Sequence, residues 1–157
     1  MTSLQNLGTT SNYSLTFITN NTERMRISNT GNAAIGTSTW DATNPEKLLV
    51  DAGTTSSINV ISGKGTINNY LQLNIQNKSS GTAASSDIVA TADNGTETVN
   101  YVDLGINSSA YSSTGVLGGA NKAYLYSAGN DFAIGNSISN KNLMFFTGGT
   151  ATTNERM

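Results

Sequence analysis

The side chains able to do chemistry in this chain are few and of narrow type. It has ten carboxylates, eight cationic side chains, six tyrosines and one tryptophan, with no histidine and no cysteine. Without histidine the commonest general base and transition-metal ligand is missing. Without cysteine there is no disulfide, no thiolate nucleophile and no zinc–thiolate site. Serines abound, but a serine nucleophile lacking histidine has few activation routes. Carboxylates remain, and glycoside hydrolysis needs two of them roughly 5–10 Å apart with split pKa values. Asp87, Asp93, Glu97 and Asp103 form the one local acidic cluster. They flank a predicted turn, and solvation of that turn and its strand edges explains them more simply than catalysis. Gly115, Gly118 and Gly119 make no phosphate loop, since no Lys-Ser/Thr follows ahead of a helix. No catalytic residue, metal ligand or cofactor is expected.

Two further sets of side chains point to binding. Arg24 and Arg26 share one side of a predicted strand, where an anion such as phosphate or a sugar carboxylate is one reading. An outward strand face paired with Glu23 or with a neighbouring chain is the simpler one. Among the aromatic residues, Trp40 and Tyr111 fall in predicted loops and are the candidates for stacking on a glycan, as amphipathic rings do at binding surfaces. Packing beneath a loop or at a subunit seam competes with that reading. Five Asn-x-Ser/Thr acceptors, at Asn12, Asn20, Asn77, Asn94 and Asn107, follow from composition alone.

The elements that position these residues read as short strands. Good helix formers never recur at helical spacing, and Asn, Gly, Ser and Thr interrupt the chain every few positions. Strands are predicted over residues 14–19, 24–28, 33–36, 47–50, 57–62, 70–76, 87–92, 98–106, 123–127, 132–135 and 143–147. In the second, Met25 and Ile27 share one face. Asn94-Gly95 lies between two β-prone runs and predicts a tight hairpin, because both central positions of the favoured turn need positive φ. Residues 108–120 read as a loop. Many short strands at short spacing indicate an all-β fold.

Composition narrows the class further. Apolar residues are 36% and charged residues 11% of 157 positions, against about 45–50% and 25% in ordinary globular chains. Thr, Asn, Ser and Gly fill about half the sequence. Such a chain buries little apolar area per residue, and small monomers are marginal for that reason. With disulfides and metals closed off, oligomerisation is the remedy left. A net charge of −2 without a basic cluster marks neither a nucleic-acid partner nor a polybasic membrane surface. No apolar run approaches the ~18 residues of a membrane-spanning helix. Residues 1–8 carry no basic start and no apolar stretch, so no signal peptide is expected.

Self-comparison finds a repeat. Leu15-Thr16-Phe17-Ile18-Thr19 precedes Glu23-Arg24-Met25, and Leu143-Met144-Phe145-Phe146-Thr147 precedes Glu155-Arg156-Met157. Upstream of the second copy, Gly129-Asn130-Asp131-Phe132-Ala133-Ile134-Gly135 echoes Gly31-Asn32-Ala33-Ala34-Ile35-Gly36. The second copy stops inside its motif, so a fragment of something longer is expected. Glu23-Arg24-Met25-Arg26-Ile27, then Gly31-Asn32, Ile35-Gly36-Thr37 and Pro45-Glu46-Lys47-Leu48-Leu49-Val50, form an ordered constellation. It resembles the segment found repeatedly in bacteriophage tail-fibre and related fibre proteins, and the section over residues 70–147 resembles repeat modules of such fibres. Trp40-Asp41-Ala42-Thr43-Asn44 lengthens the loop before Pro45 relative to that pattern. No segment resembles the C-terminal chaperone-type endopeptidase domain that ends many such fibres, so no autoprocessing is carried over.

The resemblance implies a parallel homotrimer on a virion surface. Shaft segments are expected over 1–53 and 129–157, with short intertwined β pieces. A compact, sandwich-like antiparallel β module is expected over 54–128. Met25, Ile27, Ile35, Leu48 and Val50 are the candidates for the trimer core, since a short alternating strand cannot bury its own apolar face. The implied role is extension and presentation of a surface that attaches to host glycans. The partners are the chain itself and other virion proteins, without nucleic acid or membrane insertion. A bacterial secreted adhesin built from like modules is the alternative, and a glycan-depolymerising spike is a further one.

Overall fold

A computed structural model describes residues 7–156. Met157, which closes the second Glu-Arg-Met, and most of the leading stretch 1–8 lie outside the described residues. The fold is all-β. Among the described residues seven strands form two sheets, and the only helical turn is a 3-10 turn at Thr152–Asn154. The chain divides into two units, 1–69 and 70–157, whereas the motifs divide it into three.

In the first unit, β1 (Leu15–Thr19), β2 (Thr22–Ile27), β3 (Ala33–Ile35) and β4 (Leu48–Val50) lie side by side in chain order. β1 and β2 are joined by Asn20-Asn21, with φ of 49° and 53°. Both central positions are thus left-handed, as a two-residue hairpin turn requires, and asparagine tolerates that region better than other side-chained residues. β3 and β4 pair in parallel across a crossover holding Trp40 and Pro45. Asp41 caps a turn in that loop by accepting from the backbone N–H groups of Thr43 and Asn44 at 2.8 and 2.6 Å. Gly36 has φ +83° and sits so close to the Asp51 carbonyl that no Cβ fits.

In the second unit, β5 (Ser85–Thr91), β6 (Tyr101–Asn107) and β7 (Ala123–Ser127) form an antiparallel meander. The expected β5–β6 hairpin forms, but not through a tight Asn-Gly turn. Residues 92–100 make a longer loop, neither Asn94 nor Gly95 has positive φ, and Asn100 takes the left-handed conformation at 59° instead. The loop closes by the Ala92 N–H to the Asn100 carbonyl and the Thr96 N–H to the Val99 carbonyl. One sheet forms in this unit among the described residues, so its module is not sandwich-like by itself.

Four predicted strands do not form. Residues 57–62, 71–76 and 132–135 are in no ladder, and 143–147 contributes only a single bridge, Phe146 to Glu155. Their apolar residues stay open to solvent: Ile58 is 96% and Leu73 83% exposed. A strand needs an edge to pair with, and within one chain these segments find none. The repeat itself is structural. Ile18 pairs with Glu23, and the equivalent Phe146 pairs with Glu155. Arg24 Nε donates to Thr19 Oγ1 at 3.0 Å, and the equivalent Arg156 Nε donates to Thr147 Oγ1 at 2.9 Å.

Candidate functional site

Each sheet has two unlike faces, because alternate residues of a strand point to opposite sides. In the first sheet the register aligns Phe17, Met25, Ile35 and Val50 in one row and Leu15, Ile27, Ala33 and Leu48 in the next, on one face. All five core candidates, Met25, Ile27, Ile35, Leu48 and Val50, therefore share this face. It is poorly covered, with Ile35 43% and Leu48 60% exposed. The opposite face holds Arg26, which donates through Nε and Nη2 to both oxygens of Glu23 at 2.6 Å. That pairing lowers the Glu23 pKa and raises that of Arg26. The arginine pair is thus engaged within its own unit, Arg26 with Glu23 and Arg24 with Thr19.

The second sheet is inverted with respect to water. One face carries Ile88, Ala90, Val102, Leu104, Ile106, Ala123 and Leu125, together with Ser86 and Ser127. Of these, Ile88, Leu104, Ile106 and Leu125 are about half exposed. The other face carries Ser85, Asp87, Val89, Thr91, Tyr101, Asp103, Gly105, Asn107, Tyr124 and Tyr126; Asp103, Gly105 and Asn107 are buried, while Val89 and Thr91 at its β5 edge are exposed. Burial in β6 thus alternates with the polar residues inside.

A polar network occupies that buried side. Asp87, Gly105 and Tyr124 stand in one cross-strand row. A Cβ on residue 105 would overlap Asp87 Oδ1 and the Tyr124 ring, so glycine is what lets the tyrosine cross β6. Tyr124 donates its hydroxyl to Asp87 Oδ1 and Ser85 donates to Asp87 Oδ2, both at 2.5 Å. Burial, followed by its own hydrogen bond to Asp87, pushes the Tyr124 pKa up to about 12. The next row holds Val89, Asp103 and Tyr126. The hydroxyls of Tyr126 and Tyr101 bond each other at 2.7 Å, and their rings meet edge to face at 5.8 Å. That hydrogen bond, with burial, raises the Tyr126 pKa.

Three polar residues are buried in the described chain, and two have evident structural work. Asn32 accepts from Lys47 Nζ at 2.7 Å. Asn107 donates to the carbonyls of Leu117 and Gly119 at 2.8 and 3.0 Å, which fastens the loop after β6. Asp103 differs. It is 7% exposed, and its Oδ1 is buried without any hydrogen-bond partner. Burial first, and the charge of Asp87 second, raise its pKa. Asp103 lines a cleft of about 470 Å³ with Asp87, Val89, Thr91 and Tyr101 from the sheet and Thr96 and Glu97 from the β5–β6 loop. Three of the four carboxylates that the sequence placed around the hairpin are thus gathered at one cleft; Asp93 is not among its walls.

The two aromatic candidates do not join it. Trp40 belongs to the first unit, half-buried in the β3–β4 crossover, with its indole N–H buried and unpartnered. Tyr111 is half-buried in the loop after β6. Sequence reading missed Tyr101, Tyr124 and Tyr126 as a group. The signals were a glycine between Leu104 and Ile106 and tyrosines two apart in β7. Among the described residues no cluster of three or more acidic side chains has metal-binding geometry, and no helix is long and apolar enough to cross a membrane. No protein-family model, curated protein or solved structure significantly matches this chain.

Proposed function

We propose that this chain is a structural segment of a trimeric viral fibre, in which three parallel copies cover one another's apolar sheet faces and present the polar faces outward. The observation that carries the reading is the inverted burial of β6, in which Asp103, Gly105 and Asn107 are buried while Leu104 and Ile106, on the apolar face, are about half exposed. Area supports it. The chain exposes 13368 Å². A monomer of 16.4 kDa exposes about 7,500 Å², and two independent half-size domains together about 9,100 Å². The excess over the larger figure, about 4,300 Å², matches the area that obligate assemblies bury. The single buried apolar residue among those described, Ala34, leaves each unit without a core of its own. The unpaired apolar segments at 57–62, 71–76 and 132–135 would find edges on neighbouring copies. The order of the Glu-Arg-Met and Ile-Gly-Thr motifs, which resembles tail-fibre segments, supplies the viral setting. The role is mechanical extension and presentation of a host-facing surface.

Sedimentation velocity with chemical cross-linking tests this. The expected species has three times the mass of the chain and persists on dilution. A stable, folded monomer would overturn the proposal.

A further inference from the structure

We propose that residues 71–76 of one copy add to the free outer edge of β5 in a second copy, as an antiparallel strand with Ile75 opposite Ile88 and Leu73 opposite Ala90. This deepens the fibre reading and rests on it for the presence of a second copy. The edge comes first. β5 ends its sheet on one side, and among the described residues no strand pairs with its outer edge. Ile88, Val89, Ala90 and Thr91 are all exposed, so this half of β5 is open on both faces. Tyr124, Tyr126 and Ser127 of β7, the opposite edge strand, are half-buried. An open edge carries a row of main-chain donors and acceptors that another strand can satisfy.

Residues 71–76 fit that edge in length and pattern. Leu71, Leu73 and Ile75 alternate with Gln72, Asn74 and Gln76, and the run joins no ladder in its own chain. With Ile75 opposite Ile88, the row of Ile88, Leu104 and Leu125 gains a fourth apolar member, and Leu73 stands beside the small Ala90. Gln72, Asn74 and Gln76 then fall beside Thr91, Val89 and Asp87 on the polar face. A slip of one residue would reverse every side chain. A contact within the chain has the same register. The Asn77 N–H donates to Ser86 Oγ at 2.8 Å, two steps along that alignment. Beyond this contact the run leaves the edge. Leu73 and Ile75 instead meet Ile88, Leu104 and Ile106 around a cavity of about 250 Å³. They stand on the side of the sheet that a neighbouring copy covers in the proposed trimer. Exchange of an identical element between copies gives each run an edge and each edge a run. The excess exposed area of the chain is of the size that obligate assemblies bury.

The test is disulfide trapping, in a chain that has no cysteine of its own. Asn74→Cys with Val89→Cys places two thiols directly opposite each other on the outward face, at a Cα separation that a disulfide spans. Main-chain bonds hold such a strand, so these outward side chains tolerate replacement. Mild oxidation should link separate chains into covalent trimers, and reductant should reverse it. Asn74→Cys with Ala90→Cys sets the thiols on opposite faces and should give at least tenfold less linked product. Amide hydrogen exchange on the parent chain is a second readout. Alternate amides within 71–76 should exchange at least tenfold more slowly than in an unstructured peptide. Links within single chains only, equal linking by the two pairs, or uniformly fast exchange through 71–76 would each overturn the proposal. Sedimentation of the same samples separates the two readings. A trimer that forms no links sinks the strand exchange alone, a linked dimer sinks the threefold fibre alone, and an unlinked monomer sinks both.

Discussion

Leu104 and Val89 sit one register step apart in β6 and β5, on opposite faces of the same sheet. Their exposure in the single chain is nearly equal, 53% and 51%. An account based on hydrophobicity alone would give them the same importance. The fibre reading separates them, because Leu104 lies on the face that neighbouring copies cover. Complete burial of a leucine contributes about 1.5–3 kcal/mol. Covering the exposed half of Leu104 therefore contributes about 0.8–1.6 kcal/mol per chain and about 2.4–4.8 kcal/mol per trimer. Leu104→Ser forfeits that stabilisation and lowers the trimer association constant by about 1.7 to 3.4 powers of ten. Val89→Ser removes similar apolar area from the outward face and leaves association within about 0.5 kcal/mol of the parent. Sedimentation equilibrium over a concentration series measures both. Equal effects from the two substitutions, or a Leu104→Ser chain as trimeric as the parent at high dilution, would refute the assignment of faces.

Three other outcomes follow from local geometry. Gly105→Ala places a Cβ against Asp87 Oδ1 and the Tyr124 ring. It should break the Tyr124–Asp87 hydrogen bond and cost about 1–3 kcal/mol by thermal melting, with loss of edge-to-face tyrosine signals in near-ultraviolet dichroism. Asn21→Ala removes a residue suited to φ 53° in the β1–β2 turn and should cost about 1 kcal/mol, whereas Asn21→Gly should be neutral or stabilising. Asp103→Asn should be more stable than the parent at pH 7. Burial and Asp87 raise the Asp103 pKa, so the fold disfavours its charged form. The penalty is present above the folded-state pKa and is relieved as pH falls towards the unfolded value of about 3.9. The stability gap between the two proteins should therefore close as pH falls to 4; a gap that widens in acid would contradict the assigned sign.

How much of this was legible in sequence depends on whether the signal was local. The alternation of Met25 with Arg24 and Arg26 fixed β2 and its apolar face without tertiary information. Ala123–Ser127 and the runs around Asp87 and Tyr101 were equally plain. The segments at 57–62, 70–76 and 132–135 carry the same apolar, β-prone character, yet a strand exists only where a partner edge is available. Asn94-Gly95 suggested the tightest turn, and the left-handed pair is Asn20-Asn21 instead. Both dipeptides allow positive φ, and only the pairing of Thr19 with Thr22 decides where it is used. The cleft was half legible. Its carboxylates stood out as a cluster, but read as solvated turn residues, because burial of Asp103 depends on register. Nothing in the linear sequence sets Gly105 between Asp87 and Tyr124.

The inversion of β6 also bears on the polar composition, for which there are two explanations. A monomer rich in Ser, Thr and Asn would still place Val102, Leu104 and Ile106 inward and leave Asp103 and Asn107 to water, since a few apolar residues matter most where they are scarce. In this chain Asp103 and Asn107 are buried while Leu104 and Ile106 stay about half exposed. The buried polar side has been fitted with care. A glycine admits a tyrosine, two hydroxyls hold one aspartate, and an asparagine ties down a loop. Such fitting accounts for one face by interactions inside the chain. The other face, regular in its alternation and apolar at every position of β6, has no interior to serve. An alternation kept on both sides of a strand, but satisfied on only one, is what the proposed trimer would explain, with a neighbouring copy as the second layer. In the proposed trimer the low apolar content is no deficit: shared among three chains around one axis, each residue of the open face would contribute to a core that a single copy is too polar to form.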